Sequence, residues 1–123
     1  MRFNGLEISA ITKLAKAMVL ADGKVQNIEI AVMTKELARF GVQESQLQTL
    51  LAAGDAMDMT QAMAVVSTLD YEHKKYVSAY LGTIMAADFD IDDTEMALWR
   101  LISTLCELPT MNVQEAVSIM AEL

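Results

Sequence analysis

Ile11-Thr12-Lys13-Leu14-Ala15-Lys16-Ala17-Met18-Val19 decides the fold class of this chain. Its apolar residues Ile11, Leu14, Ala15, Met18 and Val19 fall at i, i+3, i+4, i+7 and i+8, the spacing of a helix with one buried stripe. Lys13 and Lys16 lie off that stripe. Sixty-six positions on, Val77, Tyr80, Leu81, Ile84 and Met85 repeat it without a gap. The register continues outward. Ala21-Asp22 becomes Ala87-Asp88, Val25 becomes Ile91 and Glu29 becomes Glu95. Ile30 and Met33 map onto Met96 and Trp99, and Leu47, Leu50 and Leu51 onto Val113, Ala116 and Val117. Identities are few, but the apolar pattern and the Ala-Asp…Glu frame agree across three helices.

Each half therefore reads as a helix, a loop of about five residues, a second helix, a short break and a third helix. Gly41-Val42 and Pro109 mark the two breaks. Between the halves, Met59, Met63, Val66 and Leu69 space like one more helix, capped by Asp58 or Thr60, and Asp70 caps the helix that follows. The expected architecture is all-α: one domain over residues 1–123, a compact seven-helix bundle with an internal pseudo-repeat of three helices, about 9–54 and 75–120. A chain of 123 residues suits one core, and its 54% apolar content supplies it. Five Gly and one Pro argue against a turn-rich β fold. Ten Met imply adaptable packing, more often in a core than in a partner groove.

The net charge of −8 is unevenly spread, with six Lys/Arg against seven Asp/Glu in residues 1–61 and three against ten in residues 62–123. Such a surface disfavours nucleic acid and anionic membrane as partners and suits a cation or a basic protein surface. The lone Cys106 excludes an internal disulfide and fits a reducing compartment. The first residues lack a charged-then-apolar signal pattern, and no apolar stretch approaches a membrane span. A cytoplasmic protein without direct membrane insertion is expected. His73 reads as a solvent-exposed helix residue and Cys106 as an inert core thiol. Trp99, with Leu98, Leu101, Ile102 and Leu105, reads as a helix buried on a broad face; Tyr80 falls on the buried stripe, away from Tyr71 and Tyr76.

Chemistry concentrates in two loops, Ala21-Asp22-Gly23-Lys24-Val25-Gln26-Asn27-Ile28-Glu29 and Ala87-Asp88-Phe89-Asp90-Ile91-Asp92-Asp93-Thr94-Glu95. The second carries five carboxylates, Asp88, Asp90, Asp92, Asp93 and Glu95, which repel one another unless solvated, screened or neutralised by a cation. Hard oxygen ligands of this kind suit Ca²⁺ or Mg²⁺. The spacing is not that of an EF-hand: Asp93 stands where the loop needs Gly, and Trp99 where it needs a bidentate Glu. Helix capping fits the same residues. With Asp92 as N-cap and Glu95 as third helical residue, the second loop forms a capping box, with Ile91 and Met96 as hydrophobic staple. In the first loop Val25 and Ile30 take the staple positions, with Gln26 or Asn27 as cap. No nucleophile–base pair, phosphate-cradling glycine loop or cofactor motif is present, so no enzyme is expected.

Ala21-Asp22-Gly23-Lys24-Val25 with Glu29, repeated as Ala87-Asp88-Phe89-Asp90-Ile91 with Glu95, resembles the twin Asp-Gly-x-hydrophobic…Glu loops of TerB-like proteins. That family includes the tellurite-resistance protein TerB and a domain beside the J-domain of some membrane-anchored co-chaperones. The resemblance covers nearly the whole chain. It implies a small helical bacterial domain with an acidic surface that binds divalent cations and acts in stress-response assemblies. Carried over by position, Asp22 and Glu29 belong to the first loop, and Asp88 and Glu95 to the second. The second loop departs from the first in having Phe89 where Gly23 stands, and Lys24 weakens the first as a cation site. The expected metal set is Asp22, Glu29, Asp88, Asp90, Asp92 and Glu95, shared if pseudo-twofold packing brings the loops together. The alternative is a metal-independent protein–protein interaction module whose loop carboxylates only cap helices. A protein partner is expected in either case.

Overall fold

Asn4 starts the first helix through a reciprocal box: its Oδ1 accepts from the Glu7 N–H at 2.8 Å, and Glu7 Oε1 accepts from the Asn4 N–H at 2.9 Å. The computed structural model describes residues 2–21, 23, 27–87 and 91–123. Among them it forms seven α-helices and no strand: α1 (Gly5–Leu20), α2 (Asn27–Glu36), α3 (Glu44–Ala56), α4 (Met59–Ser67), α5 (Tyr71–Met85), α6 (Asp93–Leu105) and α7 (Val113–Ala121). A 3-10 turn, Leu37–Phe40, extends α2 and ends at Gly41, whose φ of 86° supplies the left-handed residue expected there. Asp58 caps α4 and Asp70 caps α5, each accepting from the backbone N–H three residues on. The start of α2 follows Gln26, which lies outside the described residues.

The two sequence-identified stripes form the centre. Ile11, Leu14, Ala15, Met18 and Val19 of α1 are buried, as are Val77, Tyr80, Leu81, Ile84 and Met85 of α5. Burying side chains of this size contributes about 1.5–3 kcal/mol each for the larger ones, so these stripes carry much of the folding free energy. Burial also spreads around both helices, to Ser9, Ala10 and Thr12 on α1 and to Ser78, Ala79 and Gly82 on α5. Helix α1 packs on α3, α4 and α5, while α5 packs on α7, α2 and α6. Helix α2 lies more on α5 than on α1, and α6 touches both central helices, so the halves interlock. Tyr80 pins one crossing by donating its hydroxyl to the Met33 carbonyl at 2.7 Å. Trp99 pins another, its Nε1–H shared between the Ser78 carbonyl and hydroxyl, both at 3.2 Å.

Helix starts at Gly5 and Tyr71, and at Asn27 and Asp93, are each 66 positions apart. The third helix departs from that register. Helix α7 starts 69 positions after α3, so Leu47, Leu50 and Leu51 correspond to Ala116, Ile119 and Met120, and Val117 is exposed. The cause is a longer turn between α6 and α7. Pro109 does not itself end α6: the helix stops at Leu105, and Glu107 at φ 57° reverses the chain, with the Leu108 N–H donating to the Ser103 carbonyl at 2.8 Å. The broad buried face expected of α6 is also narrower. Trp99 and Ile102 point inward, but Leu101 and Leu105 are 54% and 53% exposed.

Candidate functional site

Glu29 and Glu95 stand in the first turns of α2 and α6, where unpaired backbone N–H groups and the helix dipole favour negative charge. A carboxylate serving only as a surface helix starter stays in water. These two do not: Glu29 is 0% and Glu95 2% exposed. Their neighbours explain the inward turn, since Met33 on α2 and Trp99 on α6 are core residues one turn further along. Two carboxylates at corresponding positions of the two halves have thus been taken out of solvent, which is costly for the charged form unless a compensating group is near. Both make polar or electrostatic contacts within the chain, as does Asp92.

Asp92 is the N-cap of α6. Its Oδ1 accepts from the Thr94 N–H at 2.7 Å and the Glu95 N–H at 3.3 Å. One carboxylate oxygen is therefore committed to the helix start. Asp22, Asp88 and Asp90 lie outside the described residues, as do Lys24, Val25 and Phe89, so the meeting of the two loops is not described either. Gly23 does take a left-handed φ of 78°, a conformation an L side chain adopts only with strain. Ile91, the staple residue of the second loop, is exposed. Among the described residues no group of three or more His, Cys, Asp or Glu side chains is placed to hold a metal ion.

A concavity lies between α6 and α7. Its volume is about 730 Å³, with Met96, Trp99, Leu108 and Met111 among its apolar lining and Arg100 and Glu115 among its polar lining. That size falls within the range of ordinary ligand clefts. Leu101 and Leu105 add exposed apolar surface on the same helix.

Several contacts had no sequence signal. Arg39 pairs with Glu36 and donates from one terminal nitrogen to the Met120 carbonyl at 3.0 Å, fastening the last helix to the first half. His73 is not the freely solvated residue its surroundings implied; its side chain is 28% exposed and held at both ring nitrogens. Cys106 is buried and its Sγ donates to the Met63 carbonyl at 3.7 Å. Burial pushes its thiol up, against a smaller pull from Lys74, so it rests as a neutral thiol.

An all-helical domain on two interlocked central helices, with a carboxylate buried at the start of the second and of the sixth helix, is the class of protein these observations define. Residues 8–118 match the family model described as tellurite resistance protein TerB, and the chain belongs to that family. It is also similar to a protein of unknown function from Porphyromonas gingivalis W83 whose crystal structure is known. The two share 56% sequence identity with a TM-score of 0.91, over 98% of this chain and 92% of that one. No curated protein matches the chain.

Proposed function

We propose that this TerB-family domain is a non-enzymatic binding module whose paired interhelical loops take up a divalent cation, Ca²⁺ or Mg²⁺, within a bacterial stress-response or tellurite-resistance-like assembly in the cytoplasm. The observation that carries this reading is the burial of Glu29 and Glu95, each just after the loop that follows a central helix and each at the same place in its half. Hard carboxylate oxygens withdrawn from water, in stretches of sequence that supply further carboxylates, are the donor set such ions select. Asp88 and Asp90 would be the principal ligands, with Asp22, Glu29, Asp92 and Glu95 contributing. Cation binding would set the shape of the two loops, and with it the acidic surface offered to a protein partner. No described helix is long and apolar enough to cross a membrane, in keeping with a partner met in solution.

A metal-independent interaction module is the second reading, favoured by the cleft between α6 and α7 and the exposed Leu101 and Leu105. Calorimetric titration with Ca²⁺ and Mg²⁺ separates the two. The cation reading expects saturable binding in the wild type, abolished by Asp88→Asn/Asp90→Asn. Absence of binding at millimolar cation would leave the carboxylates as caps and solvated charge, and turn attention to the cleft.

A further inference from the structure

The ring of His73 lies between two acceptors. Its Nδ1 is 2.7 Å from Asp70 Oδ1, and its Nε2 is 2.9 Å from the carbonyl of Arg2. A backbone carbonyl can only accept, and so can an ionised carboxylate, so both ring nitrogens must carry hydrogen for both bonds to exist. A neutral imidazole has one N–H and satisfies one of them. The geometry is therefore that of an imidazolium. The same Asp70 oxygen also accepts the His73 backbone N–H at 2.8 Å, so the clamp is built onto the cap of α5. Above the ring, Phe3 sits edge-on to His73 at 4.8 Å and edge-on to Phe40, also at 4.8 Å. Phe40 in turn meets Tyr80 at 5.3 Å.

We propose that His73 is a pH-responsive latch on the N-terminal segment: charged, it ties Arg2 and Phe3 to the start of α5, and on losing its proton it frees that segment and uncovers Phe40. The charged groups facing the ring are Asp70 at the start of α5 and Glu7 on the first turn of α1, with Arg2 contributing its carbonyl. Next on α5, Lys74 is directed to Glu107 at 3.9 Å. The 3-10 turn contributes Phe40 behind Phe3, while its Arg39 is engaged by Glu36 and the carbonyls of Met120 and Leu123. Burial works against the charge on His73, but the bond to Asp70, the Arg2 carbonyl and the two carboxylates together outweigh it and raise the pKa. The sign follows. The latch is fully closed below the ordinary histidine value of about 6.5 and opens as pH rises through the higher folded-state value.

His73 is the only histidine, so its ring can be followed without ambiguity by NMR across the neutral range. We expect both ring nitrogens to be protonated at mildly acidic pH. The backbone amides of Arg2, Phe3 and Asn4 and the ring of Phe40 should shift with the same midpoint as His73. Asp70→Asn keeps a good helix cap while removing the charge, and should lower that midpoint. His73→Gln should abolish the pH dependence of the N-terminal amides. A ring that titrates while Arg2, Phe3 and Asn4 stay unchanged overturns the proposal, as does a ring that is neutral at mildly acidic pH.

Discussion

Tyr80 illustrates how single polar groups are handled inside this core. Its ring lies fully buried on the central stripe, and burial, with Glu36 nearby, pushes its phenol well above the ordinary range, so the group stays a neutral donor. Its hydroxyl donates to the Met33 carbonyl. Tyr80→Phe removes that bond without changing the ring, and should cost about 1–2 kcal/mol in urea unfolding. An unchanged midpoint would mean that the crossing of α2 and α5 does not depend on the bond. The ring's burial was legible from the helical spacing, but its partner was not, because a backbone carbonyl 47 residues away leaves no mark on the sequence. Glu29 and Glu95 divide in the same way. The repeat locates them, yet a helix-starting glutamate has the same spacing whether its side chain turns to water or to the core.

Elements were legible where apolar periodicity set them and less so where a turn did. All seven helices follow from the stripes and caps, and Asp58 and Asp70 cap as expected. The turn after α6 did not follow, because Pro109 is the conspicuous residue while Glu107 does the reversing. A left-handed conformation costs a non-glycine residue roughly 1–2 kcal/mol, partly offset by the greater chain entropy of unfolded glycine. Glu107→Gly should therefore stabilise the domain by up to about 1 kcal/mol in chemical unfolding, since its exposed carboxylate stands 3.9 Å from Lys74 and so long a contact contributes little. A loss of stability would show that the turn depends on the carboxylate. The opposite sign is expected at Gly54, where α3 crosses α1. A Cβ there would stand 2.5 Å from Thr12 Oγ1 and 2.7 Å from the Ser9 carbonyl. Gly54→Ala gains about 1 kcal/mol of helix propensity but forces two backbones apart at a cost of about 1–3 kcal/mol. A net loss is expected, read as a lower melting temperature; a gain would mean the crossing is loose.

At the scale of the whole molecule, the two halves are not independent bundles laid side by side. Helix α2 of the first packs on α5 of the second, and Arg39 holds the carbonyl end of α7. Helices α2 and α6, whose first turns carry Glu29 and Glu95, are thus held on a shared core, so a ligand bound at either carboxylate would act on the stability of the whole. The sequence repeat made the family and the helical class legible. It could not say whether the acidic frame is a cap, a cation site or both, because these uses share the same residue types. Thermal unfolding in chelator and in millimolar Ca²⁺ or Mg²⁺, on the wild type beside Asp88→Asn/Asp90→Asn, tests that most directly. A cation present at about a hundredfold its dissociation constant adds about 2.7 kcal/mol, or roughly 10 °C for a domain of this size. A cation site in these loops predicts that rise in the wild type and its absence in the variant. A wild type that melts at the same temperature in chelator and in cation, or a variant that gains as much, would contradict it.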